Sequence, residues 1–346
     1  MKHTLKETID QSVMSVFFQK NIVRLFPRAK NFDSLQIHRH ITMAKEDYII
    51  RYTLRIRLKN GGRETVFIRG VARADGSKRL SHQIMHILWT RGFQKGRYSL
   101  PRPLIYRSSV KQFLYEEFPG ETLYQIMENR QSDIRAPLQD AARWLAKLHN
   151  MRIQKSVLSR SLSEEKKWIS DLMPLFRKTQ WGNDSPQDAT PILQELWERE
   201  KTLLQPSLFV LIHNDFSPGN IIIGEKVGCI DFVDSCRFHP LVDVGTMLTY
   251  LHSPVSPLII KHRVNGKSIE RLQDMFLKTY IHSLRPPLYV KLTDVRLFQA
   301  RAAIMMAMHI AKLSSRLSPL LRRGKHHPRV LEILLQQAVS YLKQSY

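Results

Sequence analysis

Apolar and polar positions alternate most regularly over Tyr48–Lys59. Ile50, Tyr52, Leu54, Ile56 and Leu58 alternate with Arg51, Thr53, Arg55, Arg57 and Lys59, the period of a half-buried strand. Asn60-Gly61-Gly62 then supplies turn chemistry, and Arg63–Val71 reads as the returning strand of a hairpin. A two-residue turn puts Thr65, Phe67 and Arg69 on the apolar face and leaves Arg51, Arg55 and Arg57 as an outer basic stripe. Ahead of the hairpin, Glu7–Phe26 has a helical period, with Ile9, Val13, Val16 and Phe17 on one face. Lys20, Arg24 and Arg28 make that segment basic, so its apolar face suits either its own domain or a membrane surface. Further on, Pro101–Ile105 and Gln112–Phe118 predict strands, and Pro137–Asn150 a helix with Leu138, Ala141, Ala142, Leu145 and Leu148 at core spacing. Helices are predicted around Ser163–Leu175 and Ala189–Leu203, joined by the loop Gln180–Asp188, and then at Val242–Leu251, Ser268–Ser283, Thr293–Leu317 and His327–Gln344. Ala300–Ala311 is apolar nearly all round, which marks a buried helix.

The candidate chemistry lies in Val210–Leu248. Three apolar runs, Leu208–Ile212, Ile221–Ile223 and Val227–Phe232, frame His213, Asp215, Asn220 and Asp231. A loop held between short buried strands is rigid, so its carboxylates can be aimed at one point. That pattern suits phosphoryl transfer: one carboxylate accepts the proton of an attacking hydroxyl, while an amide and a second carboxylate hold Mg²⁺ against the phosphates. Magnesium prefers hard oxygen ligands and keeps part of its water shell, so two protein ligands suffice.

The words HNDFSPGN, IDFVDS and HPLVDVG occur in that order. The pattern H-x-D-x-x-x-x-N followed by I-D-F resembles the aminoglycoside phosphotransferase and choline kinase family, relatives of the protein kinases. The resemblance covers about residues 48–250 and is strongest in 210–248. It implies an α+β, protein-kinase-like bilobal fold. Residues 1–117 would form a small nucleotide-binding lobe on an antiparallel sheet, and residues 118–346 a larger, mostly helical catalytic and substrate lobe. The implied activity is ATP- or GTP-dependent phosphorylation of a hydroxyl on a small or lipid-linked molecule. Asp215 is then the base, Asn220 and Asp231 the Mg²⁺ ligands, and Asp243 a buried carboxylate bracing the catalytic loop. Glu116 and Phe118, in the segment Glu116–Glu121, fall at the hinge where the adenine edge meets backbone groups. His149, at the end of its helix, reads as structural. Arg69 stands where the family has a phosphate-gripping lysine. Three departures accompany it: Phe67 replaces a small residue, Arg39–Tyr48 contains no glycine, and the helix Arg79–Arg91 has no acidic partner for Arg69.

Composition adds one unusual number, a net charge of +24 over 346 residues. Such a field attracts anions and repels cations, which favours an anionic or sugar-like acceptor over a cationic one. It also allows an anionic partner, a membrane surface or nucleic acid. The basic run Arg316, Arg322, Arg323, Lys325, Arg329 with His326 and His327 supplies a local patch for one. Two further readings therefore stand beside the enzyme: a nucleotide-binding regulator that has lost catalysis, and a basic scaffold for nucleic acid or anionic membrane. Two cysteines, Cys229 and Cys236, cannot build a disulfide framework, and no run approaches transmembrane length. With no signal peptide visible, the expected location is cytoplasmic.

Overall fold

The computed structural model describes residues 6–41, 47–129, 134–153, 159–177, 190–285, 290–316 and 327–345. The chain divides into two compact units, Met1–Gly120 with Ile222–Val233, and Glu121–Ile221 with Asp234–Tyr346. The loop Gln180–Asp188, the glycine-free residues 42–46 and the basic residues Arg322, Arg323 and Lys325 lie outside the described residues.

In the first unit, helix α1 (Gln11–Leu25) is capped by Asp10, whose carboxylate accepts from the backbone N–H groups of Ser12 and Val13. It buries Met14, Phe18, Ile22 and Leu25 and leaves Val13 and Val16 exposed, so the buried face is not the one the periodicity suggests. The heavier side chains win: Phe18 packs edge-on against Tyr52, whose hydroxyl donates to Thr8 O. An antiparallel sheet follows, in spatial order β1-β2-β3-β5-β4. Its strands are β1 (Ala29–Ile41), β2 (Asp47–Leu58), β3 (Arg63–Arg73), β4 (Pro103–Arg107) and β5 (Gln112–Glu116). Periodicity misses β1 because two register shifts, between Ala29 and Asn31 and between Phe32 and Ser34, break its alternation.

The β2–β3 hairpin corrects the expected parity. Leu54 faces Val66, Tyr52 faces Ile68 and Arg51 faces Arg69, so even positions pair with even. The turn is wider than two residues. Leu58 N–H donates to Gly62 O, and Gly61 takes a left-handed φ of 87° that only glycine adopts freely. One extra residue in a turn sends every following side chain to the other face. Val66 and Ile68 therefore join Ile50, Tyr52, Leu54 and Ile56 against α1, while Phe67 is 41% exposed and Arg69 shares the opposite face with Arg51. Helix α2 (Lys78–Leu88) follows β3 directly.

The second unit is helical: α3 (Leu123–Asn129), α4 (Arg135–His149), α5 (Leu162–Arg177), α6 (Thr190–Leu203), α7 (Leu241–His252), α8 (Gly266–Ser283), α9 (Leu292–Arg316) and α10 (His327–Gln344). Its core draws Ile169 from α5, Leu193 and Leu196 from α6, Ala300, Ala303, Ile304 and Ala307 from α9, and Leu334 and Leu335 from α10. The buried character expected for Ala300–Ala311 holds except at Met305 and His309, which are exposed. Short strands carry the candidate stretch: β6 (Val210–Ile212) and β9 (Cys236–Phe238) in the second unit, β8 (Val227–Cys229) in the first, and β7 (Ile221–Ile223) at the point where the chain passes to the first. Both cysteines are free, and burial pushes the Cys236 thiol up to about 12.

Candidate active site

Strand β6 ends at Ile212 and delivers the chain into His213-Asn214-Asp215. Two braces fix this loop. The fully buried carboxylate of Asp243, in the first turn of α7, accepts from the backbone N–H groups of His213 and Asn214, both at 2.7 Å, and contacts His149 Nε2 at 3.1 Å. His149 Nδ1 in turn meets the Tyr280 hydroxyl at 2.8 Å, so the histidine is a buried structural link, as its sequence context implied. The second brace runs from Ser235 Oγ to His213 O (3.0 Å) and from Asn214 Nδ2 to Asp234 O (3.0 Å). Asn214 itself has φ 66°, a left-handed conformation asparagine tolerates and one that turns the chain sharply toward Asp215. Beneath the loop, Phe216 is fully buried and stacks on Trp144 of α4.

Asp215 and Asn220 meet across a 3₁₀ turn at Pro218–Asn220. Asn220 Nδ2 donates to the Asp215 carboxylate at 2.8 Å and to its backbone carbonyl at 3.0 Å. The amide's hydrogens thus face Asp215, which leaves Asn220 Oδ1 without a partner among the described residues. Asp215 lines a cavity of about 670 Å³ together with Ser217, Asp234, Tyr250, Trp168, Arg160 and Arg301. Burial, with the neighbouring Tyr124 and Asp215, pushes the Tyr250 hydroxyl up to about 12, so it is a neutral donor there. The two arginines are internally matched. Arg301 lies 2.6 Å from both Glu165 and Glu200, and Arg160 lies 2.9 Å from Glu165. Both guanidinium groups also lie over the Trp168 ring.

The remaining candidates lie in the first unit. Asp231 follows β8 with φ 67° and is half exposed. Its Oδ1 meets Lys78 Nζ at 2.9 Å, while Oδ2 has no partner among the described residues. Arg69 is held by Glu117, at 2.8 Å through Nε and 2.5 Å through its terminal nitrogen, and Arg51 binds the other oxygen of the same carboxylate at 2.7 Å. The acidic partner that α2 lacks thus comes from the end of β5. Tyr115, fully buried in β5, has its hydroxyl held well above the ordinary range by burial, with Asp231 adding to the effect. Glu116 pairs with Arg102 through side chain and backbone. Phe118 is buried and packs so closely on Gly228 that a Cβ there would meet its ring at 2.8 Å. The Phe118 backbone N–H has no partner among the described residues. Sequence reading missed Lys78 and Glu117; the first is a lysine at the start of a helix with no motif around it, and the second was read only as part of the hinge.

No group of three or more histidine, cysteine or carboxylate side chains able to hold a metal occurs among the described residues. A hard divalent cation needs less than that. Taken each within its own unit, Asn220 Oδ1 and Asp231 Oδ2 are oxygens of the type Mg²⁺ takes, without a partner among the described residues.

The sequence pattern of the phosphotransferase enzyme family (APH) matches residues 50–276, well over half of the chain. The chain belongs to the phosphotransferase enzyme family. Solved structures of similar fold include choline kinase LicA from Streptococcus pneumoniae, at 13% identity and TM-score 0.58, covering 96% of this chain and 99% of that one. Another is the streptomycin–ATP–APH(2'')-IIa ternary complex, at 17% identity and TM-score 0.53, covering 93% and 96%. A third is the macrolide 2'-phosphotransferase MphH apoenzyme from Brachybacterium faecium, at 15% identity and TM-score 0.51, covering 88% and 93%. These likenesses establish the α+β, protein-kinase-like fold. Comparison with curated protein sequences gave no match. Among the described residues of this phosphotransferase, no helix is long and apolar enough to cross a membrane.

Proposed function

We propose that this phosphotransferase moves the terminal phosphoryl group of ATP or GTP to a hydroxyl of a sugar-like acceptor, free or linked to a lipid. The observation that carries the reading is Asp215, hydrogen-bonded by Asn220, on the wall of a cavity of about 670 Å³. A carboxylate fixed by an amide presents its remaining lone pairs in one direction. As the acceptor oxygen bonds to phosphorus and the bond to the leaving nucleoside diphosphate breaks, Asp215 takes the hydroxyl proton. Asn220 keeps the carboxylate oriented through that step. Asn220 and Asp231 are the residues that would hold Mg²⁺, which when bound offsets negative charge on the phosphates. Phe118 N–H and the Glu116 segment suit the adenine edge.

The acceptor class follows from the cavity's charges. Arg160 is matched by Glu165 and Arg301 by Glu165 and Glu200, while the Asp215 carboxylate is held by Asn220. Neither arginine is therefore left over to call for an anionic acceptor. Hydroxyl-rich faces are served by Ser217, Tyr250 and Asp234, and an apolar face by Trp168, Met305 and Met306. The chain's charge of +24 argues for an anionic acceptor, but it is a property of the whole surface. A regulator that binds nucleotide without turnover is the second reading, favoured by the glycine-free Arg39–Tyr48.

One experiment separates these. Thermal unfolding is followed with Mg·ATP and Mg·GTP for the wild type and Asp231→Asn, alongside phosphate transfer to a panel of sugars and sugar alcohols. A nucleotide at about a hundred times its Kd adds about 2.7 kcal/mol of stability, enough to move the midpoint. The proposal expects a Mg²⁺-dependent shift that Asp231→Asn removes, and transfer that Asp215→Asn lowers by about 10²- to 10⁴-fold. A shift without transfer to any acceptor supports the regulator, and no shift with either nucleotide overturns both.

A further inference from the structure

Lys78 is the least expected feature of the first unit. Its side chain is only 5% exposed, yet it is a lysine, among the residues least often buried. The chain places it there by local means. After β3 the segment Ala74-Asp75-Gly76-Ser77 forms a turn in which the Asp75 carboxylate accepts from Ser77 N–H and Oγ, and Gly76 takes φ 78°. Gly76 N–H closes on Arg73 O, and Arg79 N–H closes on Gly76 O. Helix α2 therefore starts at Lys78 itself, with no side-chain cap and no acidic residue in its first turn. The positive end of the helix and the lysine ammonium lie together, and neither is neutralised by the helix's own residues.

An ammonium carries three donors. One reaches Asp231 at 2.9 Å, and the other two find no partner among the described residues. Leaving a buried charge short of hydrogen bonds is costly, so such a group is expected where a ligand completes it. Its hydrogen-bonded partner among the described residues is the carboxylate that the motif assigns to the metal, and the Asp75 carboxylate acts on it only as a nearby charge. Arg69 offers the contrast. Glu117 engages it twice and is shared with Arg51, so its charge is answered within the protein.

We infer that Lys78, rather than Arg69, is the residue that grips the nucleotide's phosphates, with Asp231 holding the ammonium in position before the anion binds. The inference rests on the function proposed above. It moves the phosphate-binding cation from the middle of β3 to the first residue of the following helix. It also gives Arg69 a different role, bracing the end of β5 through Glu117 so that Phe118 N–H is presented.

The test compares affinity for Mg·ATP with affinity for adenosine, which has no phosphates, in wild type, Lys78→Met, Lys78→Gln and Arg69→Met, each checked for folding by circular dichroism. Loss of a charge-assisted contact predicts that either Lys78 variant weakens Mg·ATP by about ten- to a hundredfold and leaves adenosine unchanged. Arg69→Met should weaken both ligands by the same factor. A second readout uses wild type alone: Mg·ATP, but not adenosine, should protect Lys78 from a small amine-acylating reagent, read by mass spectrometry. Selective loss of Mg·ATP in Arg69→Met, with the Lys78 variants unaffected and Lys78 unprotected, overturns the inference. If the wild type binds neither ATP, GTP nor adenosine, the proposed function itself fails, and that result is seen before any variant is made.

Discussion

Asp243 shows how much one side chain carries at this site. It is fully buried, and its two oxygens satisfy two backbone N–H groups of the catalytic loop and one nitrogen of His149. Replacing it by alanine orphans all three in a dry environment, so Asp243→Ala should cost about 3–5 kcal/mol. Asp243→Asn, which can still accept one of them, should cost about 1–3 kcal/mol. Denaturant midpoints read both, and activity should fall further than the lost stability accounts for, because Asp215 is positioned through the same loop. Glu200 makes a second prediction through pH. Burial raises its carboxyl to about 7, with Arg301 opposing and Glu165 reinforcing the shift. An acid with a raised folded pKa binds its proton more tightly in the native state than in the unfolded chain. Its contribution is therefore full below its ordinary value of 4.5 and is lost as pH rises through about 7. Thermal midpoints should fall between pH 5 and pH 8, and Glu200→Gln should flatten that slope. The groups facing it are Glu165, Arg301 and Arg160, and an unchanged slope in Glu200→Gln would overturn the assignment to Glu200.

At the scale of elements, α7 and α9 approach so closely that a Cβ on Gly245 would lie 2.4 Å from Phe298 O. Backbone oxygen cannot rotate away, so Gly245→Ala must push the helices apart. The expected loss is about 1–3 kcal/mol, read as a lower thermal midpoint, together with reduced turnover because Asp243 rides on α7. Elements of this kind were largely legible in the sequence. Apart from the short α3, which no periodic segment announced, the helices named for the second unit fall within a few residues of their periodic segments, and the spacing of Asp215, Asn220, Asp231 and Asp243 marked the candidate site. That motif is local, so its chemistry survives reading in one dimension. What escaped the sequence depends on geometry between elements. The hairpin's two strands were plain, but a turn one residue longer than the simplest form reversed the face on which Phe67 and Arg69 lie. Helix α1 has apolar residues on two faces, and only the fit of Phe18 to Tyr52 selects one. Lys78 meets Asp231 across 153 residues of sequence, a partnership no spacing rule can announce.

For the whole molecule, the charge of +24 is the dominant physical fact that the fold leaves unused. Surface pairs such as Arg28–Glu64 and Lys167–Asp171 do not reduce it, because their carboxylates are already counted in that net, and exposed pairs of this kind are worth little and are screened by salt. The excess cations remain available to a polyanion. Binding of that sort is driven by counterion release, so its affinity falls linearly with the logarithm of salt concentration, with a slope of about −0.9 per phosphate neutralised on a duplex. The protein should therefore bind duplex nucleic acid or vesicles rich in anionic lipid at low salt and release them steeply as salt rises. Asp215→Asn and Asp231→Asn should each bind at least as tightly as wild type, since each removes a negative charge and neither supplies a cation. The proposed catalysis and the expected polyanion binding are in this way separable: the first would depend on two carboxylates and an amide, the second on the sum of the surface. Measuring association at several salt concentrations for wild type and both variants decides the matter. Binding indifferent to salt, or lost with Asp215, would tie the anion to the active site instead of to the surface charge.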